Sequence, residues 1–123
     1  MTIDEIREQA RRHVDAQAES ARQRFVTRGD AQQAVYMLKR DEALRFAADP
    51  APEPSAYPML SAEVGITAPT LAEVADVVAT MAAQWIAVAA QIETLRLGAK
   101  AAITAAATPE AVWSAARVTF PSP

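Results

Sequence analysis

Apolar residues recur at alternating steps of three and four from Leu71 to Ala106: Leu71, Val74, Val78, Met81, Trp85, Val88, Ile92, Leu95, Ala99, Ala102 and Ala106. The spacing holds across five heptads. That pattern predicts one long helix, about residues 71–107, whose apolar seam packs against other helices. Thr70 is its expected N-cap, with Pro69 marking the boundary and Glu73 completing a capping box.

The N-terminal part reads as a pair of helices. Residues 3 to about 28 carry an apolar stripe, Ile3, Ile6, Ala10, Val14, Ala21 and Phe25, set in a wide charged face. Thr2 is the expected cap, and Asp4 and Glu5 sit where the helix dipole favours anions. Thr27-Arg28-Gly29-Asp30 breaks the pattern; Gly29 suits the left-handed position after a helix, and Asp30 suits a cap for the next. The Arg-Gly-Asp triplet lies between two helix signals and reads as punctuation rather than as an adhesion motif. The second helix runs from Ala31 to about Ala48 on the stripe Ala31, Ala34, Val35, Leu38, Glu42 or Ala43 and Phe46, flanked by Tyr36 and Met37. A turn at Gly29 folds the two helices into a hairpin, or a kink leaves them collinear; both stay open.

Four prolines, Pro50, Pro52, Pro54 and Pro58, predict an extended, polyproline-like linker from Asp49 onward. A short helical turn, Pro58 to Val64, closes at Gly65. Thr108-Pro109-Glu110 restarts a helix after the long one, and the prolines of the tail hold it extended, with Phe120 docked or loose.

An unbroken 71–107 helix is about 55 Å long at 1.5 Å per residue. A compact globule of this chain length is only about 35 Å across. The seam passes through Gly98 in phase, so the helix is expected to continue there, the protein to be elongated, and the chain to assemble with copies or partners. Ala75, Val77, Ala82, Gln84, Ala89 and Gln91, which flank the seam, are no solvated face. The expected fold is all-α, an elongated helical bundle or coiled coil. It divides into an N-terminal arm over 1–48, a proline-rich linker over 49–69, the long helix plus a short one over 70–116, and an extended tail over 117–123.

Composition agrees. Hydrophobic residues make up 51% but aromatics only 6%, and there are just 3 glycines to turn a β-chain. The net charge of −3 makes phosphate neutralisation no bulk property, and the absence of cysteine removes disulfides and thiolate metal sites. The acidic start, Met-Thr-Ile-Asp-Glu, is no signal peptide. Residues 77–92 carry no charge, but with Thr80, Gln84 and Gln91 they fall short of a membrane span. The single histidine, His13, has no partner for catalysis, and the carboxylates are scattered. Arg7, Arg11, Arg12, Arg22, Arg24 and Arg28 alternate with acids, as on a solvated face rather than a nucleic-acid surface. No catalytic, cofactor or metal site is expected. The expected packing residues are Phe25, Tyr36, Leu71, Val74, Val78, Met81, Trp85, Val88, Ile92 and Leu95.

Several segments carry a resemblance: Arg24-Phe-Val-Thr-Arg-Gly, Gln33-Ala-Val-Tyr36 with Lys39 and Glu42-Ala43, Tyr57-Pro-Met-Leu-Ser-Ala-Glu63, Thr70-Leu-Ala-Glu-Val74, Trp85, and Ile92-Glu-Thr-Leu-Arg-Leu-Gly-Ala-Lys-Ala-Ala-Ile103. Together they resemble small tail and tail-fibre-associated proteins of tailed bacteriophages and prophages, over about two-thirds of the chain. Arg28 stands where that family often has proline. The resemblance implies no catalytic residue. It implies a structural part of the virion, made in the bacterial host cytoplasm, that anchors tail fibres or receptor-binding proteins at the tail tip or baseplate. The partners implied are those proteins and further copies of the chain, commonly as trimers, with no nucleic acid and no membrane insertion. A tail-fibre assembly chaperone, absent from the mature virion, is the alternative.

Overall fold

Helices account for every regular element in the computed structural model, which describes residues 1–26 and 29–123, Asp30 by its backbone alone. The elements are α1 (Ile3–Gln23), α2 (Asp30–Ala48), a 3₁₀ turn (Pro54–Ala56), α3 (Pro58–Ser61), α4 (Leu71–Ala105) and α5 (Pro109–Ala115). The all-α expectation holds. Thr27 and Arg28 lie outside the described residues, and with them the expected helix break and the Arg-Gly-Asp triplet.

The chain forms two compact units that cut across its linear order: Met1–Val26 with Ala87–Pro123, and Thr27–Ile86. The linear segments 1–48, 49–69 and 70–116 are therefore not separate bodies. α1 and α2 belong to different units, and α4 supplies residues to both.

In the first unit, Thr2 opens α1 with a full capping box. Its hydroxyl accepts the Glu5 N–H at 3.1 Å, and the Glu5 carboxylate accepts the Thr2 N–H at 2.9 Å. Ala10, Val14, Ala18 and Ala21 are wholly buried, at steps of four, four and three. These small side chains bring α1 close to Ile92, Ala99 and Ile103 of α4, with Val112, Ala116 and Phe120 closing the same core. Phe120 is docked, not loose. α1 ends at Gln23 rather than near 28: Arg24 and Phe25 donate to the carbonyls three residues back, the tightened last turn of a finishing helix.

In the second unit, Gly29 is the N-cap of α2, at φ 111°, a conformation that favours glycine. It does not follow α1 as a C-terminal residue, and Asp30 is the first residue of α2 rather than its cap. The expected inward stripe of α2 is only partly right. Ala43 is buried and Phe46 half-buried, but Ala31, Ala34, Val35 and Leu38 are exposed. The core here is Ala43, Tyr57, Leu60, Val74, Ala75 and Val78, and it reaches only the C-terminal half of α2.

The proline segment is no extended spacer. Asp49 accepts the Tyr57 hydroxyl at 2.6 Å and the Ala51 N–H at 3.0 Å, and Ser61 donates to the Pro54 carbonyl at 2.8 Å. Tyr57 is pulled into the core, 2% exposed, edge-on to Phe46 at 5.4 Å. Pro58 opens α3 as expected. Gly65, at φ 83°, makes the following turn, its N–H donating to the Ala68 carbonyl at 2.7 Å. Thr70 caps α4 by accepting the Glu73 N–H at 3.2 Å.

α4 is unbroken through Gly98, but its buried line departs from the heptad seam. Ala82 and Ile103 are buried, whereas Met81 and Ala102 are exposed. A strict heptad falls behind a straight 3.6-residue helix by about 20° per repeat. In the first unit Ile92 and Ala99 still lie on the seam, and the next inward step is four residues rather than three, which places Ile103 in the core in place of Ala102. Nearer the start, the inward side carries the small residues Ala75 and Ala82, which leaves the larger Met81 outside.

Candidate interaction surface

The two units differ in how their outer polar groups are arranged. In the first, charged side chains from α1 and α4 lace together over the core. Arg96 donates to Asp15 at 2.9 Å and to Glu93 at 2.7 Å; Lys100 reaches Asp15 at 3.0 Å, and Arg22 reaches Glu93 at 3.2 Å. Burial pushes the Asp15 carboxyl up, but Arg96 and Lys100 outweigh it and hold it below the ordinary carboxylate range. The Glu93 carboxyl is likewise held low, by its bonds to Arg96. Arg7 donates to the Ala106 carbonyl at 2.7 Å, a cation placed at the negative end of α4. Edge-on contact with Trp113, at 6.3 Å between ring centres, accounts for His13.

The second unit has a polar side and an apolar side. Glu42 is 4% exposed, and its carboxylate accepts the N–H groups of Met59 at 3.0 Å and Leu60 at 3.1 Å. These are free donors of the first turn of α3, whose own N-cap position, Tyr57, supplies no side-chain bond. Lys39 pairs with Glu63 at 2.7 Å, and Thr67 donates to the same carboxylate, so Glu63 also titrates below its ordinary range. No sequence signal pointed to Glu42 as a cap, because its partners lie 17 and 18 residues away.

The apolar side is the outward part of α4 from Val77 to Ile86. Val77 is 36% exposed, Met81 61% and Ile86 47%, and Ala79, Thr80, Ala83 and Gln84 between them are exposed as well. No charge lies anywhere in this stretch. Val77, Met81 and Gln84 stand at i, i+4 and i+7 and share one side of the helix; Ile86 lies with Ala79 and Ala83 on another. The bare surface therefore wraps around much of the helix. Exposed apolar groups scattered singly mean little, whereas a contiguous uncharged set is a candidate contact surface.

The expected packing residues separate into two groups. Val74 and Val78 are buried in the second unit's core, with Leu71 packed on its edge; Ile92 is buried in the first unit's core, with Phe25, Val88 and Leu95 against it. These seven pack within the chain. The cause is the fold-back of α1 and of the 49–61 segment onto α4. Trp85 and Tyr36 are half-buried, and the Tyr36 hydroxyl has no hydrogen-bond partner among the described residues. Met81 alone of the set stands mostly exposed. Ile86 lies off the 3-4 spacing and was missed; the charge-free run around it was the available signal.

By length and composition α4 could cross a membrane, and only 22% of its apolar stretch is buried. The start of the same helix packs inside the protein: Val74, Ala75 and Val78 share a core with Tyr57 and Leu60. Among the described residues no cluster of three metal-ligating side chains is present. No protein-family model, curated protein or solved structure matches this chain.

Proposed function

We propose that this protein is a structural packing module that holds other protein chains, further copies of itself among them, against the uncharged outer surface of α4. The observation that carries this reading is the exposure of Val77, Met81 and Ile86 on a stretch without a single charge. Following the resemblance to small tail proteins, its setting is the tail tip or baseplate of a tailed phage, where it anchors or connects tail fibres or receptor-binding proteins. The supporting physics is the cost of leaving apolar surface in water: an uncharged, exposed stretch of helix gains by being covered by another chain. Quantitative mass spectrometry of purified virions tests the setting. A stoichiometric amount in the particle supports it. Abundance in the infected cell with none in the particle rejects it in favour of a fibre-assembly chaperone.

A further inference from the structure

We draw no further inference here: the strongest candidate, the exposed Met37–Leu44 line on the outer side of α2, is an unpartnered apolar face, and nothing in the structure shows what covers it.

Discussion

The carboxylate of Glu42 accepts the backbone N–H of Leu60 at 3.1 Å, and that of Met59 beside it, so a residue in the middle of α2 caps the start of α3. Removing it leaves buried donors without a partner. Glu42→Ala is expected to cost about 1–3 kcal/mol, the usual penalty for such groups. Glu42→Gln keeps an accepting oxygen and should cost less. Urea denaturation of the three proteins checks the order, and hydrogen exchange at Met59 and Leu60 should speed up first. Equal stability of all three would mean that the cap contributes nothing.

Met81 is the sharpest probe of the proposed contact surface, because it is exposed and outside both cores. Met81→Glu should leave the helical circular-dichroism signal and melting temperature near wild type. It should weaken association at least tenfold, since a lone charge in an apolar contact costs more than about 1.4 kcal/mol. Light scattering of the isolated protein, and pull-down with neighbouring gene products, give the readout. Unchanged association would remove Met81 from any interface.

Ile103 and Ala102 test which line of α4 faces inward. Ile103 is wholly buried and Ala102 exposed. Ile103→Ala is expected to cost about 2–5 kcal/mol, whereas Ala102→Glu should change stability by less than about 0.5 kcal/mol. The reverse order, read by thermal melts, would restore the heptad phase.

Gly98 sits inside α4, where an added Cβ would meet no atom within 4 Å. Gly98→Ala should therefore stabilise the protein, by about 0.5–1 kcal/mol, by restricting the unfolded chain. A higher midpoint in chemical denaturation is the expected outcome.

Acid should loosen both units. Asp15 and Glu63 titrate below their ordinary values in the fold, so the unfolded chain takes up protons first as the pH falls. Their contribution is present in full above the unfolded carboxylate range and fades from about pH 5 downward, through the lower folded values. Asp15→Asn should flatten this acid limb. The Asp15 side chain is 44% exposed, so solvent screening limits the loss at neutral pH to about 1 kcal/mol or less. Melting temperatures measured between pH 3 and 7 decide it.

Local chemistry made much of this protein readable from its residues. Thr2, Thr70 and Thr108 cap their helices because a hydroxyl meets N–H groups only two or three residues on, and the uninterrupted apolar spacing carried α4 through Gly98. The charge-free run after Asp76 was equally plain. What tertiary structure alone decided is which apolar residues found a partner within the chain. Ile92 and Met81 look alike in the seam, yet α1 folds over one and the other stays mostly exposed. The proline segment followed the same logic: Pro50, Pro52 and Pro54 restrict φ, but the Tyr57 hydroxyl on Asp49 and the buried Glu42 under α3 turned the restricted chain inward. Caps and spacing are decided within a turn or two of helix, whereas burial depends on contacts between residues far apart in the chain, and only the assembled fold specifies those.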